Sequence, residues 1–169
     1  MVSDNALQTK LGDYVEDAHA METNVLQMLG SMISTTSDPE IRAELERHKE
    51  QTEAQEQRLR DRLEALGRSP AIRKETQTIV GALMKGVADQ VRGDKPGKNA
   101  RDGYVTEHME IAAYELLERL AERAGDRETA EVARRNKREE EQMAEKIAAN
   151  WDKFLDLTLD EEGIAARSS

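Results

Sequence analysis

The sequence predicts an all-α protein: a four-helix bundle with a short fifth crossover helix. Three observations carry that expectation. Aromatic residues make up only 3% of the 169 positions and β-branched residues are sparse, while Ala, Leu, Glu, Lys and Arg abound, which disfavours any large sheet. Apolar residues recur at three- and four-residue spacing along extended stretches, as in helices that hide one face. Only three prolines punctuate the chain, Pro39, Pro70 and Pro96, each just behind a polar or turn-like cluster.

The elements follow in order, as helical stretches over roughly 4–34, 38–66, 70–92, 99–124 and 127–157. The first places Leu7, Leu11, Tyr14, Ala18, Val25, Leu29 and Met32 on one stripe. Ser37 and Glu40 stand at capping-box spacing around Pro39, so the second helix starts there with Ser37 as its cap. It carries Ile41, Leu45, Leu59, Leu63 and Leu66 and stops at Gly67. Ser69-Pro70 opens the third stretch, which holds Gly81 and Gly86 and has the weaker pattern expected of a crossover. Residues 93–97 read as a loop, and Gly125-Asp126 as a tight turn with Asp126 capping the last helix. That helix displays Ala133, Ala144, Ile147, Trp151 and Phe154. Residues 1–159 thus form one helical bundle domain, and residues 160–169 are expected to be a frayed tail.

Charge narrows the function. Asp and Glu number 35 against 25 Lys and Arg, a formal net charge of −10, which argues against a nucleic-acid-binding role. The one basic cluster, Arg134, Arg135, Lys137 and Arg138, is followed at once by Glu139, Glu140 and Glu141. No apolar run is long enough for a membrane span, and no basic-then-apolar signal opens the chain, so a cytoplasmic address is expected. The absence of cysteine removes disulfides, thiolate metal sites and thiol nucleophiles.

The apolar stripes are interrupted near the middle of their helices. Glu22 lies about 40° from the Ala18 centre of its stripe. His48, Thr52 and Gln55 occupy positions where Leu belongs, with Gln51 on the flank. Glu107, Glu110 and Tyr114 stack above Leu117, and Glu140 falls on the register Ala133, 137, 140, Ala144, for which Lys137 is the nearest compensating cation. Ionised carboxylates in a core cost several kcal/mol each unless compensated, and a pair of divalent metals compensates them. Glu107 and Glu110, three apart on one face, suit bridging and terminal ligation, and His48 supplies nitrogen; this oxygen-rich set suits iron or manganese better than zinc. Two plainer readings stand beside it: the 139–141 run as a solvated face, and His48 as a satisfied core histidine. His19 sits about 100° off its stripe, a boundary position that would leave Glu16 on the outer face, and His108 points away from Glu107's stripe. Tyr114 is either an ordinary core tyrosine or a redox-active neighbour of the carboxylates.

The segment Asp17-Ala18-His19-Ala20-Met21-Glu22, the stretch from His48 to Gln55 running into Arg58-Leu59, and Glu107-His108-Met109-Glu110-Ile111-Ala112 with Tyr114 together resemble the YciE/YciF family of bacterial ferritin-like proteins. Glu139-Glu140 and Glu145-Lys146-Ile147 extend the match, which spans about residues 7–155. The resemblance implies a ferritin-like bundle, often a homodimer, in a stress-associated protein. It maps a dinuclear iron or manganese site onto Glu22, His48, Glu107, Glu110 and Glu140; a protein with such a site would handle peroxide, oxygen or stored metal, with a small-molecule oxidant as partner. Gln51 falls where the family usually has a Glu ligand, Met109 replaces a usual aromatic, and Met143 stands where a full Glu-x-x-His motif has histidine. These departures weaken the implied site. The alternative is a metal-free helical scaffold or dimerisation module, and the resemblance leaves catalytic turnover open.

Overall fold

The computed structural model describes residues 4–69 and 95–164 of the chain. Five helices occur among them, with no strand: α1 (Asp4–Thr35), α2 (Pro39–Ala65), α3 (Lys95–Arg123), α4 (Arg127–Ala148) and α5 (Trp151–Glu161). The crossover helix expected over 70–92, with Ser69-Pro70 at its start, lies outside the described residues apart from Ser69.

The four long helices form the ferritin-like bundle. Helices α1 and α2 make one antiparallel hairpin, and α3 and α4 the other. Gln8, near the start of α1, donates to the Ala124 carbonyl just beyond α3, so those two helices also run antiparallel. Arg62, near the end of α2, reaches Thr129 at the start of α4, and Lys146, near the end of α4, reaches Glu44 near the start of α2, so α2 and α4 are antiparallel as well. Therefore α2 and α3 run parallel, as the long connection between them requires.

Local chemistry explains the ends, with three departures from expectation. Asp38, not Ser37, caps α2, its carboxylate accepting from the backbone N–H groups of Glu40 at 3.1 Å and Ile41 at 2.9 Å. One residue closer to the helix, it reaches two of the orphan donors directly. Lys95, Pro96 and Gly97 belong to α3 rather than to a loop: proline has no N–H to lose in a first turn, and the Gly97 N–H is satisfied by Thr158 Oγ1 at 2.9 Å. The last stretch is two helices, not one. Asn150 adopts a non-helical backbone (φ −124°, ψ 19°) while its side chain donates to the Lys146 carbonyl at 2.7 Å, a local bond that competes with helix continuation. The turn lets α5 fold back on α3, where Trp151 meets Tyr104 edge-on at 5.4 Å. Gly67 and Gly125 end α2 and α3 as expected, each with positive φ (69° and 72°).

The core is layered. At one end Leu11, Val15, Leu59, Leu63, Leu117, Ala121 and Ala133 join all four long helices in a single cluster. At the other end the apolar residues form two separate groups, Val25, Met28, Leu29 and Met32 on α1, and Ala100, Met143 and Ile147 on α3 and α4. Between the ends lies a polar layer.

Candidate metal centre

Each long helix contributes to that layer, because each breaks its apolar stripe at the same depth. Glu22 lies between Ala18 and Val25, His48 three residues past Leu45, Glu107 and Glu110 between Gly103 and Tyr114, and Glu140 between Ala133 and Ala144. All five are inside: Glu22 and Glu140 are 0% exposed, Glu110 1%, and His48 and Glu107 2%. The solvated-face reading therefore fails for Glu140, though its neighbour Glu141 is exposed.

Two clusters form. His48, Glu107 and Glu140 bring ligand atoms within 4.8 Å of one another, and so do Glu22, Glu110 and Glu140. Glu140 belongs to both. Opposite oxygens around a hard divalent cation stand about 4–5 Å apart, at bond lengths of roughly 2.0–2.6 Å, so each cluster has the span of one ion. His48 Nε2 is 3.2 Å from Glu107 and 3.8 Å from Glu140, yet neither ring nitrogen makes an aligned hydrogen bond among the described residues. The same holds for Glu22 Oε2, Glu107 Oε2, Glu140 Oε2 and both oxygens of Glu110. So many orphaned acceptors at one depth is unusual for a folded interior, and it is the donor set that a pair of hard cations takes.

Burial pushes Glu107 up to about 7. It holds Glu22, Glu110 and Glu140 well above the usual carboxylate range too, with the neighbouring carboxylates adding to the rise. Lys137, the cation expected nearest the layer, does not enter it. It pairs with Glu115 at 2.6 Å and Glu118 at 2.7 Å on the flank of α3, and Asn136 takes the interior position instead.

The surroundings contain groups that the stripes only half revealed. Gln51 is half-buried, whereas Gln55, one turn further on, is fully buried and donates to Glu140 and, at 3.1 Å, to Glu139. Arg58 grips both oxygens of Glu139, at 2.6 and 3.2 Å. Tyr114 is not simply packed: its hydroxyl donates to Glu22 Oε1 and accepts from Asn136 at 2.9 Å. The apolar register of α4 points to position 137, but Asn136, four residues before Glu140 and on the same face, is the buried one. His19 is buried against Glu56 at 2.6 Å. Glu16 is not on the outer face but 9% exposed, paired with Arg68 at 2.8 Å. His108 is exposed and packs edge-on against Tyr104 at 4.4 Å, away from the layer.

Fold and site together define a helical-bundle protein with a buried carboxylate–histidine layer. The chain belongs to the family described as a domain of unknown function, DUF892, whose profile matches residues 6–159. A solved structure from Xanthomonas campestris pv. campestris is similar over 94% of this chain and 99% of its own, at 28% identity and a TM-score of 0.77. YcfI from Rhodopseudomonas palustris matches over 84% of this chain and 92% of its own, at 22% identity and TM-score 0.73. The E. coli stress protein YciF matches over 93% of this chain and 97% of its own, at 18% identity and TM-score 0.65. The last two likenesses are of fold, and with the family match they bear out the resemblance drawn from the motifs. None of the described helices is long and apolar enough to cross a membrane.

Proposed function

We propose that Glu22, His48, Glu107, Glu110 and Glu140 hold a pair of iron or manganese ions, and that the protein handles peroxide, oxygen or the metals themselves, in a stress role like that named for YciF. One observation carries this reading: two ion-sized clusters share Glu140, and their ligand atoms lack other partners. When bound, such a pair supplies one-electron redox chemistry and Lewis acidity. The protein's own part is to orient. Tyr114 and Gln55 each bind one carboxylate oxygen, of Glu22 and Glu140 respectively, which leaves the other oxygen of each for a ligand role. The carboxylates themselves are almost wholly shut from solvent. Without metal, Glu107 keeps its proton up to about 7, so a cation bound there takes the place of that proton.

A second reading, a metal-free scaffold whose polar layer fixes helix register, is favoured by the same raised proton affinities, since protonated carboxyls need no cation. Anaerobic Fe(II) addition followed by air separates the two. The metal reading expects a near-ultraviolet ferric absorption band and a higher melting temperature. Absence of uptake, or equal uptake by a Glu107→Ala/Glu110→Ala variant, overturns it.

A further inference from the structure

Among the described residues, the bundle is open at the end where α1 passes into α2. There the apolar faces of the two hairpins stand apart around a cavity of about 200 Å³, which is why the core divides into two groups at this end and not at the other. Its wall is largely aliphatic and thioether: Met28, Met32, Leu45, Met143, Ile147 and Phe154. The inner end is Glu107, a buried carboxylate whose Oε2 has no hydrogen bond among the described residues. We propose that this cavity is the binding site for a small, uncharged apolar molecule, a single ring or short alkyl chain with one polar end, and that this molecule, its polar end at Glu107, is the substrate of the carboxylate layer.

Size, lining and mouth support this class of ligand. Native interiors pack like organic crystals, so an apolar space this large departs from ordinary packing. An enclosed apolar cavity of about 150 Å³ takes up benzene; this space has room for a ligand of that size but also opens to solvent at a mouth. Three of the wall residues named, Met28, Met32 and Met143, are methionines, and thioethers adapt to varied apolar shapes. At the mouth, Lys146 is paired with Glu44 at 3.2 Å and Lys153 with Glu40 at 2.5 Å. Those two cations are already neutralised, and Asp38 and Glu161 in the lining outnumber the remaining lysine, Lys95, so the rim offers little attraction to an anion.

As substrate of the layer the ligand rests on the metal reading above; as occupant of the cavity it does not. Toluene serves as the probe, titrated into the full chain with 13C-labelled methionine methyl groups, metal-free and after Mn(II) loading. The expected result is a saturable shift of the Met28, Met32 and Met143 signals with Met21 and Met109 unmoved, and faster relaxation of toluene protons in the Mn(II) form. Filling the space with Ala100→Phe, or with Leu45→Trp should the first variant not fold, is expected to weaken binding at least about tenfold. No shift at the three wall methionines overturns the cavity assignment, even where Mn(II) binds. Shifts without any relaxation effect in protein shown by elemental analysis to hold Mn(II) overturn the assignment as substrate. Failure to take up Mn(II) overturns the metal reading and the substrate role with it, while the methionine shifts still decide the cavity.

Discussion

Tyr114 and Glu22 meet across the interior, the phenol of α3 donating to one carboxylate oxygen of α1 while Asn136 of α4 donates to the phenol at 2.9 Å. Three helices are thereby joined by two hydrogen bonds inside a space that is closed to solvent. Burial and the nearby Glu22 charge push the tyrosine hydroxyl well above its ordinary range, so it stays a donor at any physiological pH.

Replacing Tyr114 with Phe strips a donor from Glu22 and an acceptor from Asn136, leaving both buried. The expected cost is about 1–3 kcal/mol in urea unfolding of the metal-free protein. Tyr114→Phe/Asn136→Leu is expected to recover part of that loss, because the amide is then no longer stranded. An unchanged midpoint for the single variant would contradict the assigned hydrogen bonds.

Glu140 belongs to both clusters and Glu110 to only one. Elemental analysis after Mn(II) loading is therefore expected to show two ions in the parent chain and about one in Glu110→Gln. Glu140→Gln is expected to depress occupancy at both positions. Equal stoichiometry in all three proteins would remove Glu140 from the shared position.

Acidity has opposite consequences in two parts of the molecule. In the polar layer the folded chain keeps protons that the unfolded chain gives up around 4.5, since Glu107 titrates at about 7 and its three partners higher than usual. The folded state then binds more protons than the unfolded state across this window, so that stability is fully present below 4.5 and is lost as pH rises through 7. Metal-free protein is expected to melt at a lower temperature at about pH 8 than at about pH 5. Metal-loaded protein is expected to show the reverse trend, because ligation requires the carboxylates deprotonated.

Asp126 behaves the other way. Burial pushes it up, but hydrogen bonds from the Thr129 hydroxyl and backbone, with the Arg62 charge, outweigh this and hold it below its usual 3.8. Its contribution is present above that value and disappears as pH falls through the lowered one. Asp126→Ala is expected to cost about 1–2 kcal/mol at neutral pH, from the lost cap of α4. That cost should shrink in acid, as read from urea midpoints at several pH values.

Much of this was legible in the stripes. His48, Glu107, Glu110 and Glu140 stood out because a carboxylate or imidazole on an apolar register has no solvent to face, and the structure puts all of them inside. Periodicity is weaker at resolving adjacent positions. Residues 136 and 137 lie about 100° apart on a helix, and which one turns inward depends on small rotations set by packing; Lys137 finds its acids on α3, and Asn136 goes in. Gln51 and Gln55 raise the same ambiguity one turn apart, settled by which of them meets Glu140. The break at Asn150 left no trace in the apolar pattern, since Ile147, Trp151 and Phe154 keep helical spacing straight through it. The backbone torsions of Asn150 and its side-chain bond back to Lys146 reveal it.

The two hairpins divide the acidic layer unequally. Helices α1 and α2 bring Glu22 and His48, and α3 and α4 bring three carboxylates that repel one another. Neither half is furnished to grip a cation well by itself, so an ion drawing on both would act as a clasp, and metal supply would govern how long the halves stay together.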